Sequence, residues 1–128
     1  MADVTSPLSA SVLAYLGSQR LGRLATVDPH GAPQNNPVGF RYNAEAGTID
    51  IGGLRMGASR KFRNLAGNPK VAFVVDDIAS VQPWRVRCVE IRGRAEALRD
   101  QVPLAPGMSA EIIRIRPERV ISFGLDEA

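Results

Sequence analysis

The chain has 128 residues, 45% of them hydrophobic, and a formal net charge of +3, which suits one domain with a single core burying very roughly two-thirds of its unfolded surface. No apolar run approaches the roughly 20 residues that span a bilayer, and the opening MADVTSPLSA lacks the basic and hydrophobic regions of a signal peptide, so the sequence predicts a cytoplasmic protein without a membrane partner. The 16 basic residues include only Lys61 and Lys70 as lysines, and the arginines are scattered among 13 acidic residues, without the dense basic run or interleaved aromatics of a nucleic-acid surface.

In chain order, Ser6–Gln19 spaces Leu8, Val12, Leu13 and Leu16 as an amphipathic helix, with Ser6 or Ser9 as N-cap and Gly17 weakening its far end. Leu21–Val27 reads as a strand, Asp28-Pro29-His30-Gly31 as a turn, and Pro33–Tyr42 as a second extended segment. A turn at Asn43–Gly47 leads into Thr48–Gly52, which predicts an antiparallel meander of three strands. Ser59–Ala66 is a short helix with Phe62, Leu65 and Ala66 on one side, stopped by Gly67-Asn68-Pro69. Val71–Val75 is a continuous apolar run before Asp76-Asp77 and predicts a central strand buried on both faces. A loop through Pro83 precedes Arg85–Leu98, where Val86, Cys88 or Val89, Ile91 and Ala95 alternate with charge and Gly93 marks a bulge. Asp100–Gly107 is loop, and Ala110–Ile115 with Arg119–Phe123 form a last strand bent or broken at Pro117. Helix, three strands, helix, three strands, without regular βαβ alternation, favours a closed or partly closed antiparallel barrel as a single domain over residues 1–128.

Catalytic constellations are sparse. His30, the only histidine, sits in a Pro-His-Gly turn, which disfavours both a His-based triad and a multi-histidine metal centre. The single cysteine, Cys88, has no internal disulfide partner and reads as strand packing. Asp76 and Asp77 fit a polar strand end better than an acid/base pair, and no Walker lysine follows Gly52-Gly53. No catalytic side chain and no metal ligand set is assigned.

The passage IDIGGLRMGASRKFRNLAGNP stands apart. A strand ends in paired glycines and leads through Ser59, Arg60 and Lys61 into a helix start, where exposed N–H groups and two cations suit a phosphate-bearing small molecule. Asn35-Asn36-Pro37-Val38-Gly39 offers amides and small residues to a flat ring, or is simply an edge strand with a proline. Trp84 stacks on a ligand or plugs a gap. With no reactive side chains of its own, such a site fits a prefabricated organic cofactor.

In order and spacing, LGRLATVDPHGAPQNNPVGF, SRKFRNLAGNPKVAFVVDD and VEIRGRAEAL resemble the split β-barrel flavin and deazaflavin oxidoreductases of the pyridoxamine-phosphate-oxidase-like superfamily, over about Leu13–Gly124. IDIGG and the closing RIRPERVISFGLD are most similar to the deazaflavin branch that includes a tetracycline-pathway reductase. The resemblance implies a mainly β, six-stranded antiparallel split barrel that forms a homodimer with a cofactor site at the subunit interface. It implies coenzyme F420, with FMN as the alternative, and hydride transfer to an activated double bond of a small-molecule substrate, or else a non-catalytic cofactor carrier. By this resemblance Arg60 and Lys61 carry the phosphate with Ser59 beside them, Asn36, Pro37 and Val38 border the ring, Gly52 and Gly53 allow its approach, and Trp84 and Arg87 arrive from the partner subunit. Ser59 stands where many deazaflavin relatives have arginine, and the chain stops short of the C-terminal region of the true pyridoxamine-phosphate oxidases, which predicts a different substrate.

Overall fold

A computed structural model describes residues 7–125. Helix α1 (Ala10–Gly17) starts at Ser9, whose Oγ accepts the Val12 N–H at 3.3 Å, and Leu8, Val12, Tyr15 and Leu16 are buried in the core. The other proposed cap, Ser6, lies outside the described residues. The strands are β1 (Leu21–Val27), β2 (Pro33–Gly39), β3 (Arg41–Asn43), β4 (Thr48–Ile51), β5 (Lys70–Ser80), β6 (Arg85–Leu98) and β7 (Ile112–Phe123), with α2 (Arg60–Gly67) between β4 and β5.

All seven strands form one antiparallel sheet in the order β2-β1-β5-β6-β7-β4-β3. The count exceeds the expected six because Pro33–Tyr42 is not continuous. It breaks at Phe40, so that β2 pairs with β1 and β3 pairs with β4 at the opposite edge. The expected meander is therefore absent: β1 and β4 lie far apart in the ladder, next to β5 and β7 respectively. Since consecutive Cα atoms are about 3.8 Å apart, Gly39 and Arg41 lie within about 8 Å of each other, and the sheet must curl until its two edges meet there. Among the described residues no ladder of hydrogen bonds joins β2 to β3, so the backbone at Phe40 is what links the two edges. The Phe40 ring packs edge-on against Phe73 at the point of closure, centroids 5.2 Å apart.

Strand β5 is central, between β1 and β6, but longer than expected and buried on one face only. Val71, Phe73 and Val75 point into the core with Leu24, Ile49, Ile51, Val89, Ile91, Ile113 and Ile115. Asp76 and Asp77 continue the strand because each meets an arginine: Asp76 pairs with Arg23 on β1 at 2.5 Å and Asp77 with Arg87 on β6. Strand β7 runs unbroken through Pro117, and the register slips opposite Gly93, leaving Glu118 as the extra residue. A Cβ on Gly93 would lie 2.1 Å from the Arg116 carbonyl oxygen, so the backbones there meet too closely for any other residue.

Helix α2 is lodged between two parts of the sheet. Phe62 and Leu65 face Ala95 and Ala97 of β6, while Asn64, almost opposite Phe62 on the helix, donates from Nδ2 to Thr26 Oγ1 and Gln34 Oε1, both at 2.9 Å. Ala66, expected on the apolar side, is exposed.

Candidate cofactor site

The segment from β4 to α2 leaves the sheet at Gly52-Gly53, makes one 3₁₀ turn over Met56–Ala58, and enters α2 at Ser59. Ser59 is a helix cap: its Oγ accepts the Phe62 N–H at 3.3 Å and donates to the Met56 carbonyl at 2.6 Å. The Ser59 hydroxyl is thus already occupied by the backbone and caps the Phe62 N–H, while the Arg60 and Lys61 N–H groups have no helical partner and Arg60 is exposed at the helix start. Arg60, Lys61 and Arg63, like Arg20, Arg55, Lys70 and Arg119 elsewhere, have no hydrogen-bonded or ion-paired side-chain partner among the described residues, whereas Arg23, Arg87, Arg92, Arg94, Arg114 and Arg116 all do. Unpaired cations gathered on one short helix are a donor set that fits a phosphate.

Arg60 and Arg63 line a hollow of about 260 Å³ with Asp28, Pro29, His30 and Asn64, so the β1–β2 turn forms its other wall. The Asp28 carboxylate accepts the backbone N–H groups of Ala32 and His30, each at 2.9 Å, and these bonds hold its pKa below the ordinary value. It is therefore an ionised turn former rather than a proton donor.

Asn36, Pro37 and Val38 lie on β2, the strand at one edge of the sheet, opposite Leu24, Arg23 and Gly22. Strand alternation puts Asn36 and Val38 on the same face as Gln34, which holds Asn64 of α2, and puts Pro37 on the other face. Val38 is buried; Asn36 and Pro37 are exposed. Asn36 thus lies on the face of β2 that meets α2 at Asn64.

Gly52 and Gly53 sit under the loop between β6 and β7. A Cβ on Gly52 would meet the Met108 sulfur at 2.9 Å and Leu104 at 3.3 Å, and the Gly53 carbonyl accepts both the N–H and the Oγ of Ser109, at 2.9 and 3.2 Å. In this chain the close approach permitted by Gly52 is made by Met108 and Leu104.

Trp84 and Arg87 are elsewhere. Together with Ala79, Val86, Phe123 and Gly124 they line a separate hollow of about 540 Å³. Arg87 precedes Ala95, the point where α2 packs, by eight positions on β6, roughly 25 Å at 3.3 Å per residue, so one chain does not bring it to Arg60. Its guanidinium is held by Asp77 at 2.9 and 2.5 Å and lies 5.2 Å from the centre of the Tyr15 ring. The Tyr15 hydroxyl donates to the same Asp77 at 2.8 Å. The Arg87 bonds, followed by that of Tyr15, keep the Asp77 pKa low, and burial first, then Asp77, drives the Tyr15 pKa up.

Three structural elements are not singled out by sequence reading: Asn64, the β6–β7 loop residues Ser109 and Glu111, which bond to the passage before α2, and a buried ionic cluster across β3, β4 and β7. In that cluster Asp50 accepts from Thr48, Asn43 and Arg114. An asparagine beside Leu65 in the middle of a helix, and an aspartate between Ile49 and Ile51, are the signals that mark the first and the last. Among the described residues no cluster of three or more His, Cys, Asp or Glu is placed to hold a metal ion, and no helix is long and apolar enough to cross a membrane.

The comparisons agree with this architecture. Residues 8–123 match the family model described as pyridoxamine 5'-phosphate oxidase. The chain is 47% identical over 124 residues to a 5a,11a-dehydrotetracycline/5a,11a-dehydrooxytetracycline reductase of Streptomyces rimosus, covering 94% of this chain and 85% of that protein. Among solved structures, a conserved hypothetical protein of Mycobacterium tuberculosis superposes with TM-score 0.71 at 22% identity, covering 98% of this chain and 89% of that one. A protein described as an F420 reductase superposes with TM-score 0.61 at 28% identity, covering 80% and 89%. The curled seven-stranded sheet with two short helices, matched along almost its whole described length, places this chain in the pyridoxamine 5'-phosphate oxidase family of split β-barrels.

Proposed function

We propose that this chain is an oxidoreductase that binds reduced coenzyme F420 and reduces an activated double bond of a small organic substrate. The observation that carries this reading is the 47% identity to the dehydrotetracycline reductase; the unpaired cations on α2 and the likeness to an F420 reductase support it. Bound in its reduced form, the deazaflavin supplies the hydride. The protein's own residues bind and orient. Arg60 and Lys61, with their own N–H groups at the start of α2, hold the phosphate, and the backbone of residues 36–38, with the Asn36 side chain, borders the ring from β2; Gly52 lies beneath Leu104 and Met108. No side chain acts as nucleophile; rate enhancement comes from holding donor and acceptor in reach, and water or a peripheral polar group provides the proton.

The reading includes a homodimer. Ile78, Val81, Trp84 and Phe123 are large apolar residues more than half exposed, around the hollow that also contains Arg87, and a second copy of the chain is the occupant that would bury them and bring Trp84 and Arg87 to the other subunit's cofactor. Parallel titrations with oxidised coenzyme F420 and with FMN decide the cofactor, and micromolar binding of FMN alone would overturn F420. Replacing Arg60 and Lys61 together with alanine is expected to weaken binding by about 100-fold or more, since two charge-assisted contacts of about 1.5–3 kcal/mol are removed. Unchanged affinity places the phosphate elsewhere. The proton donor has no assigned side chain, which also suits a carrier; a reduced complex that no enone or quinone oxidises would favour that role.

A further inference from the structure

Residues 53–58 link the sheet to the helix start that carries Arg60 and Lys61, and they include Gly53 and Gly57. Apart from the bonds that the helix cap Ser59 makes to Met56, every hydrogen bond among the described residues that ties this stretch to the rest of the protein comes from two side chains and one backbone N–H of the β6–β7 loop. Ser109 Oγ accepts the Met56 N–H at 3.0 Å and donates to the Gly53 carbonyl at 3.2 Å, and the Ser109 N–H reaches the same carbonyl at 2.9 Å. Glu111 Oε1 accepts the Gly57 N–H at 3.3 Å. The loop is itself closed. Its ends are joined by the Gln101 N–H and the Ala110 carbonyl at 2.7 Å, and Arg41 on β3 donates to the Leu104 carbonyl. From this closed strap Leu104 and Met108 press on Gly52.

We infer that Ser109 and Glu111 are positioning residues for the anion site, fixing the 3₁₀ turn so that the start of α2 stands at a set distance from the ring site on β2. The inference rests on the anion reading of Arg60 and Lys61. A glycine-bearing passage without these ties has many conformations to lose when a ligand binds, and the lost order is taken out of the affinity. Glu111 has a second effect. Its carboxylate occupies the N–H two residues ahead of Ser59, so it orders the passage while placing a negative charge beside the site it serves, and its removal by a neutral isostere separates these two contributions.

The test uses the full chain with the cofactor that the parallel titration selects, F420 or FMN, and inorganic phosphate as competitor, with melting temperatures recorded alongside. Ser109→Ala deletes two hydrogen bonds of about 1 kcal/mol each, so cofactor affinity is expected to fall by up to roughly 30-fold, and Ser109→Thr, which keeps the hydroxyl, restores most of it. Glu111→Gln keeps the acceptor and removes the charge; it is expected to bind phosphate more tightly, about 2- to 3-fold at low salt, a gain that disappears near 1 M salt. A purely structural role predicts parallel losses of affinity and melting temperature, with no gain from glutamine. If Arg60→Ala/Lys61→Ala weakens binding while Ser109→Ala does not, or if threonine fails to rescue, the strap has no positioning role. If Arg60→Ala/Lys61→Ala leaves affinity unchanged, the anion reading falls and this inference with it.

Discussion

Replacing Asp50 with asparagine probes whether charge holds β3, β4 and β7 together. The Asp50 side chain is 3% exposed, and its oxygens accept four bonds: Oδ1 from Thr48 Oγ1 at 2.9 Å and Arg114 Nε at 3.0 Å, Oδ2 from Asn43 Nδ2 and an Arg114 Nη, each at 3.0 Å. Asparagine keeps one acceptor and turns the other into a donor aimed at donors. Arg114, 21% exposed, would then remain charged without its counter-ion. Breaking a buried pair costs about 3–5 kcal/mol, and the partial exposure of Arg114 lets water recover some of it, so about 3 kcal/mol is expected. For a domain of this size that is a fall of about 10 °C in melting temperature. Urea unfolding at pH 7, followed by calorimetry, measures it. Burial alone would raise the Asp50 pKa, but the bonds from Arg114, then Asn43 and Thr48, outweigh it and hold the value below the ordinary 3.8. A depressed folded pKa stabilises the protein above the unfolded value and loses that contribution as pH falls through the folded one. The gap between wild type and Asp50→Asn must therefore narrow as pH drops below about 4. A gap under 1 kcal/mol at pH 7, or one that stays constant from pH 7 to pH 3, refutes the reasoning.

Gly93→Ala drives a methyl group into the Arg116 carbonyl and should cost about 2–3 kcal/mol, read by thermal melting; a neutral result would mean that the bulge at Glu118 relaxes freely. Asn64→Ala leaves Thr26 and Gln34 without the amide that joins them to α2 and should cost about 2 kcal/mol while also weakening cofactor binding. Loss of stability with full affinity would show that α2 keeps its place without Asn64. Tyr15→Phe removes a hydrogen bond of about 1 kcal/mol and should raise the Asp77 pKa, followed by carboxyl NMR; an unmoved Asp77 would show that Arg87 alone sets it.

Much of the fold is legible in residue order. The Ser9 and Ser59 caps, the Asp28–Gly31 turn, both short helices and the irregularity at Gly93 follow from local rules that tertiary contacts leave in force. Phe40 shows what local rules miss: nothing in PVGFRYN marks a break, because the break exists only where the two sheet edges meet. Asp76-Asp77 misleads in the opposite way. A charge pair reads as the end of a strand, yet ion pairs with Arg23 and Arg87 on the neighbouring strands carry β5 on to Ser80. At the site, the cationic helix start is visible in Ser59-Arg60-Lys61, but the Ser109 and Glu111 ties join positions more than 50 residues apart, and no spacing rule connects them.

Phe40 also has a mechanical consequence. In an open sheet the outermost strands peel away first, since each is held on one side only. Here the two outermost strands, β2 and β3, are successive stretches of one backbone, so neither can leave its neighbour without dragging the other's end along. One residue acts as the rivet of a rolled plate: it holds the two free edges of the roll together at a single point.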